Sequence, residues 1–289
     1  WDLLHEHQVL FFPEQSPTVD EHVAFGRNFG ELEGHPNLKN AFTDHPEIFE
    51  LAATQGGIAD EWHTDITFQS SPALMSVLHM LQCPQTGGDT MWANQYLAYE
   101  QLSDPIRDLV DGLHAIHNAA PHGKPEMSAM HPVARIHPET GRTSLMVNEH
   151  FTKRIAELSH DESEALLRYL TRWSVREPFT VRYRWTPGTV AMWDNRCTQH
   201  FVVNDFEGER VIQRVTVDEM MRQAVNEDSS GEVRAVLSDR LADLATRLEG
   251  QRNASAHETT VAADIRRWQQ NPADFTPAPA LRLPPGDPI

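Results

Sequence analysis

The chain has 289 residues, enough to bury a full core, and its 39% hydrophobic content is that of a globular domain. Its 24 Lys and Arg stand against 42 Asp and Glu, and the resulting net charge of −18 repels phosphate backbones and anionic membranes alike. Nucleic acid and membrane are therefore not expected partners, and a small anionic ligand would need a basic pocket inside this acidic envelope. Cys83 and Cys197 are the only cysteines, too few for a disulfide framework and not at a CxxC spacing. There is no run of about 18 apolar residues and no charged-then-apolar leader, so a reducing cytoplasm is the expected compartment. The chain opens at Trp1 rather than Met, which leaves a preceding stretch open.

In chain order, QVLFF (8–12) followed by Pro13 reads as a buried strand leaving into a turn. VDEHVAFGRNFG (19–30) carries Val19, Val23, Phe25 and Phe29 at mixed helical spacing and stops at Gly30. WHTDITF and ALMSVLHML, within 61–81, are rich in β-branched and aromatic residues and read as strands. Helices are expected over 96–113 and 161–173. HPVARIHP, TSLMVN, FTVRYRW, TVAMWDN and RVIQRVTVDEM supply further short strands. Many short strands with few helices predict a mainly β fold with flanking helices, a sandwich or barrel enclosing a site. From 222 to 289 the character changes. Val233, Val236, Leu237, Leu241, Leu244 and Leu248 form one apolar helical stripe, expected to pack on the core or to join subunits into a homo-oligomer, and a proline-rich tail follows.

A metal site needs ligands that converge. The pattern His-x-Asp/Glu occurs four times, where chance gives about two in a chain of this composition. His45-Pro46-Glu47 and His137-Pro138-Glu139 read as turns and His160-Asp161-Glu162 as a helix start; only His63-Thr64-Asp65 lies in a strand-like stretch, where two residues of one face point together. His200, after the strand TVAMW, can supply a third ligand. Two histidines and one carboxylate leave three adjacent positions of an octahedral ion open, as iron needs to take a chelating co-substrate together with dioxygen. Arg210 and Arg214, four apart on a predicted strand, share a face and offer planar forks matched to two anions.

Four blocks in order, EWHTDITF (61–68), TGGDTMWAN (86–94), HPVARIHPETGRTSLMVNEHFTKRI (131–155) and WDNRCTQHFVVNDFEGERVIQR (193–214), resemble the taurine dioxygenase family, over about residues 1–221. The resemblance implies a double-stranded β-helix (jelly roll) that uses Fe(II), 2-oxoglutarate and O2, coupling decarboxylation of 2-oxoglutarate to succinate with hydroxylation of a substrate. It places the iron on His63, Asp65 and His200, the distal carboxylate of 2-oxoglutarate on Arg210 and Thr90, and an anionic substrate on His35 and Arg214. The retained Asp65 disfavours a halogenase. Leu38, Ala59 and Gln213 depart from tyrosine, asparagine and histidine expected for taurine, so a larger, more apolar sulfonate, sulfate ester or carboxylate is the expected substrate. The segment between His117 and His131 is shorter than the lid region of many relatives, and 222–289 has no counterpart in them. A metal-dependent hydrolase using the same three residues, and a non-catalytic ligand-binding barrel, remain competing readings; only the dioxygenase forms succinate.

Overall fold

The computed structural model describes residues 1–35, 44–56 and 58–218. The chain divides into units Trp1–Glu219 and Met220–Ile289, and every described residue belongs to the first. The 222–289 extension with its apolar stripe, and Leu38, lie outside the described residues.

The run Ala73–Gln82 has no polar alternation that would leave one face wet, and nearly all of it is buried at the centre of a six-stranded antiparallel sheet. Val190–Asp194 pairs with one side of it and Val211–Asp218 with the other. Val9–Phe12 lies beyond the first, while Leu32–Glu33 and Phe49–Ala52 both pair with the second. A three-stranded sheet sets Thr90–Asn94 between Thr180–Tyr183 and Thr198–Val202. Trp92 from this smaller sheet packs with Trp193, Leu78, Met80 and Ile212 from the larger one, and with Trp185. Two antiparallel sheets closed over a tryptophan-rich core are the architecture expected of a jelly roll.

A third sheet, His114–Ala119 between Lys124–Pro132 and Thr152–Ile155, flanks the sandwich. The helix His160–Trp173 starts at a Ser159/Glu162 capping box and buries Leu167 and Leu170 against Val133, Val147 and Ile155.

Three expectations change. The helix over 96–113 is two helices, Gln95–Glu100 and Asp104–Val110, because Pro105 has no N–H to continue the first and is instead accommodated in the opening turn of the second. QVLFF is a half-buried strand with Phe12 exposed, since it has a partner on only one side. WHTDITF is not a strand: His63 makes a single bridge and Asp65 begins a turn. The short 118–130 segment is a closed hairpin in which the turn Ala120–His122 ends on left-handed Gly123 and leads into Lys124–Pro132. Among the described residues no helix is long and apolar enough to cross a membrane.

Two histidines away from the central site are locked neutral by the fold. His22 donates from Nε2 to the Val77 carbonyl at 3.0 Å, and burial pulls its pKa down to about 4; His117 is fully buried and burial pulls it down to about 3. Both folded values lie below the unfolded one, so the unfolded chain binds more protons between pH 6.5 and 4. The stability these neutral rings confer is complete above pH 6.5 and is lost as the pH falls. Urea melts of the metal-free protein are expected to show a loss of about 2 kcal/mol per histidine between pH 7 and 5. His22→Gln should lower the slope by one proton, and a slope unaffected by the substitution would show that His22 titrates normally.

Candidate active site

His63 and His200 are paired across an antiparallel bridge by two reciprocal hydrogen bonds, His63 N to His200 O at 3.0 Å and His200 N to His63 O at 2.8 Å. Directly opposed residues point their side chains to one side, so the imidazoles meet with centroids 4.2 Å apart. The Thr64 hydroxyl donates to the Thr198 carbonyl at 2.8 Å and holds the register. His63 Nδ1 donates to the Glu61 carbonyl at 2.8 Å, which fixes the tautomer and leaves a lone pair on Nε2. That Nε2 lies 3.7 Å, and His200 Nε2 3.9 Å, from Asp65 Oδ1. Each residue thus offers one ligand atom, and all three atoms lie within 4.8 Å of one another.

The protonation states suit a cation. Burial holds both imidazoles below their ordinary pKa, His200 far below it, so both are neutral at pH 7. Burial pushes the Asp65 carboxyl up, but Arg214, His200, His63 and the Ser76 hydroxyl together outweigh it and hold the group well below the carboxylate range. Ser76 Oγ donates to Asp65 Oδ2 at 2.7 Å, accepts from Asn195 Nδ2 at 3.0 Å, and Asn195 Oδ1 accepts from Trp193 Nε1 at 2.9 Å. This chain holds Oδ2 and leaves Oδ1 facing the histidines. Neutral nitrogens, one ionised carboxylate and a bonded outer layer fit a divalent ion.

A second group, His5, His137 and Asp194, brings the same residue types together. It is a structural ion-pair network. Arg196 clasps both Asp194 oxygens, Nε to Oδ1 at 2.9 Å and Nη2 to Oδ2 at 2.7 Å, and its Nη1 reaches Glu139 at 2.8 Å. The carboxylate is already matched by a fixed cation, so a metal there would face a buried guanidinium.

Arg214 lies on Val211–Asp218 and Arg210 immediately precedes that strand; both are buried, but in different circumstances. Arg210 Nε donates to the Gly88 carbonyl at 3.1 Å and Nη2 to the Thr90 hydroxyl at 3.2 Å. Trp185 Nε1 donates to the same hydroxyl at 2.8 Å. Burial pulls the Arg210 guanidinium down to about 10, opposed by Cys83 and, among the described residues, by no carboxylate. Gly87 and Gly88 both have positive φ, and a Cβ on Gly87 would lie 2.5 Å from the Asp205 carbonyl oxygen; the glycine pair lets this turn pass close enough to aim the Gly88 carbonyl at Arg210. Arg214 lies over the Phe49 ring at 4.5 Å, donates from Nη1 to Asp65 Oδ1 at 2.6 Å, and keeps a buried Nε with no partner.

His35 packs on Phe49 at 5.4 Å and on His122 at 5.5 Å, in the electrostatic field of Arg214. His122 and His150, 5.7 Å apart, continue the rim to His63, with Phe151 and Phe68 behind them. Gln213 is corrected: strand alternation puts it on the face opposite Arg214, where its amide donates to Glu50 at 3.0 Å, so it carries no information about substrate. Ser76, Asn195, Trp185, His122 and His150 were not singled out by sequence. Asn195 was legible in principle, lying five residues before His200 within a matched block; Ser76 sits in a uniformly apolar strand.

Residues 1–216 match the family described as taurine catabolism dioxygenase TauD, TfdA family. An alkylsulfatase of Acinetobacter baylyi is 38% identical over 75% of this chain and 74% of its own length. An alpha-ketoglutarate-dependent sulfate ester dioxygenase of Pseudomonas putida is 36% identical over 74% of this chain and 78% of its own. The crystal structure of a taurine dioxygenase from Burkholderia xenovorans superposes with a TM-score of 0.68 at 39% identity, covering 75% of this chain and 79% of that one.

Removing the Ser76 hydroxyl frees Asp65 Oδ2 to rotate. Ser76→Ala is expected to raise the Mn(II) dissociation constant about 10- to 100-fold, measured by calorimetry. An unchanged constant would remove Ser76 from the support of the site.

Proposed function

As a member of the TauD, TfdA family, this chain is an Fe(II)- and 2-oxoglutarate-dependent dioxygenase, and we propose that its substrate is an alkyl sulfate ester. In this reading His63, Asp65 and His200 hold the iron and Arg210 with Thr90 receives the distal carboxylate of 2-oxoglutarate. The observation that carries it is Arg210, a buried cation bonded only to neutral oxygens, since such a charge is stabilised when an anion enters beside it. Bound iron supplies activation of dioxygen against the co-substrate. The chain's own residues supply aim and dryness: Trp185 orients the Thr90 hydroxyl, and Phe68 and Phe151, both nearly fully buried, exclude water beside His63.

Arg214 and His35 receive the sulfate in this reading. A metal on Asp65 Oδ1 competes with the Arg214 contact to that oxygen, and the displaced guanidinium, with its unspent Nε donor, is then available to an anion. The apolar cluster of Ile66, Phe68, Phe151 and Met127 next to the histidines suits a carbon chain and supplies no hydrogen-bond acceptor for an ammonium group. Hydroxylation at the carbon bearing the ester oxygen gives a hemiacetal sulfate, whose C–O cleavage yields an aldehyde and inorganic sulfate. The alkylsulfatase and sulfate ester dioxygenase relatives support this choice. The acidic charge and the free cysteines, Cys197 buried, favour a cytoplasmic enzyme with no nucleic-acid or membrane partner, and the 233–248 stripe favours a homo-oligomer.

Anaerobic Fe(II) protein with 2-oxoglutarate should develop the weak visible band of the chelate. Arg210→Met should weaken co-substrate binding by at least about 30-fold, the cost of truncating a buried charged partner. With hexyl sulfate, aldehyde, sulfate and succinate should appear together and only with oxygen present. Alcohol and sulfate formed without oxygen or 2-oxoglutarate would mean hydrolysis, and equal turnover of taurine would overturn the substrate assignment.

A further inference from the structure

Asp65 is followed by a residue in a costly conformation. Ile66 has φ +46°, in the left-handed region that β-branched side chains rarely enter, and its side chain is buried beside Phe68 and Phe151. Left to itself, the Asp65–Phe68 turn would relax toward an extended or right-handed conformation and carry the carboxylate away from His63 and His200. Something must hold it, and the next residue is fully buried and bonded on every side.

The bonding around Thr67 leaves little freedom. The His117 ring meets the Thr67 hydroxyl through Nδ1 at 2.9 Å. The hydroxyl oxygen in turn accepts from Asn148 Nδ2 at 3.3 Å. Asn148 is itself fixed, its Oδ1 accepting from Phe151 N at 2.8 Å and its N–H donating to the Thr152 hydroxyl at 2.9 Å. On the backbone side, His131 Nε2 donates to the carbonyls of Thr67 at 2.9 Å and Gln69 at 3.0 Å. His117 and His131 sit on the antiparallel pair of strands His114–Ala119 and Lys124–Pro132. The third sheet therefore reaches this loop through the Thr67 side chain and the carbonyls of Thr67 and Gln69.

We propose that Thr67 is a positioning residue for the metal centre: gripped by His117, Asn148 and His131, it keeps Ile66 left-handed and so sets where Asp65 Oδ1 stands. It does not touch substrate, co-substrate or metal. The alternative is that these bonds only satisfy buried polar groups, in which case their loss would lower stability and leave the metal site as it was. The inference rests on the metal reading of His63, Asp65 and His200, and the experiment separates the two.

The experiment uses the full chain as wild type, Thr67→Val and Thr67→Ser, loaded with Co(II) in place of iron. Cobalt affinity is measured by calorimetry, ligand geometry by the visible d–d spectrum, and the stability of the metal-free protein by urea melts. Valine keeps the shape of threonine and removes the hydroxyl; serine restores it. Thr67→Val is expected to weaken Co(II) binding about 10-fold or more and to alter the d–d bands, with Thr67→Ser returning both toward wild type. His117→Gln reports in the same way should the valine variant not fold. Wild-type affinity and spectrum in a valine variant that is merely less stable would overturn the proposal. Wild-type protein that binds no Co(II) would instead overturn the metal reading beneath it.

Discussion

The reciprocal backbone pair between His63 and His200 is the constraint from which the site is built. It fastens a loop to the strand Thr198–Val202 at a single point, and Trp62 packed on Phe201 at 4.4 Å together with the Thr64 hydroxyl prevents a slip of register. A one-residue slip would turn one imidazole to the opposite face and leave no convergent pair. Having placed His63 by this bridge, the chain must bend at once to bring Asp65 back toward the same point, and that bend is what forces Ile66 into the left-handed region. Strain beside the ligand is thus a geometric consequence of the pairing. It is tolerated because the surrounding hydrogen bonds over-determine the turn.

Charge sorts the buried arginines by role. Arg196 is answered inside the protein by Asp194 and Glu139, at distances and angles that satisfy its whole fork. Nothing is left for a ligand, and the His5, His137 and Asp194 group around it is structural. Arg210 is answered only by a carbonyl and a hydroxyl, and Arg214 shares the carboxylate that the histidines also face. In an interior where an isolated charge costs several kcal/mol, such incomplete pairing is retained where a ligand completes it. The acidic exterior makes the contrast sharper, since the net −18 offers no general attraction for an anion and recognition has to be local.

The convergence of His63, Asp65 and His200 was legible because its geometry is short-range at both ends: His63 and Asp65 are two apart, and His200 follows an apolar strand whose end is visible as WDN. It singled out the arginine pair by a spacing of four, although only Arg214 lies within the strand Val211–Asp218, which Arg210 just precedes. It did not reveal that WHTDITF is a loop, since the β-branched and aromatic residues there are selected for packing against Phe151 and Ala119 rather than for a ladder. Nor could it separate Gln213 from Arg214 as to face without the register of Val211–Asp218. Ser76 and His117 are silent in sequence for a common reason. Each lies on a strand whose pattern reads as packing, and its partner is distant in the chain, Asp65 for one and Thr67 for the other.

The spacing of the two site arginines also bears on how two anions can share one metal. Four residues of a strand span about 13 Å, less when the strand twists. Arg210 stands where the Gly87–Gly88 turn and Thr90 approach it, whereas Arg214 stands over Phe49 on the side of His35. The triad touches only the second of these arginines, through Asp65. In the proposed reading a dicarboxylate on Arg210 would have to span the distance to the triad, whereas an anion on Arg214 would lie beside Asp65. The two arginines thus stand in different surroundings, one on a carbonyl and a hydroxyl and the other bonded to the carboxylate that faces the histidines.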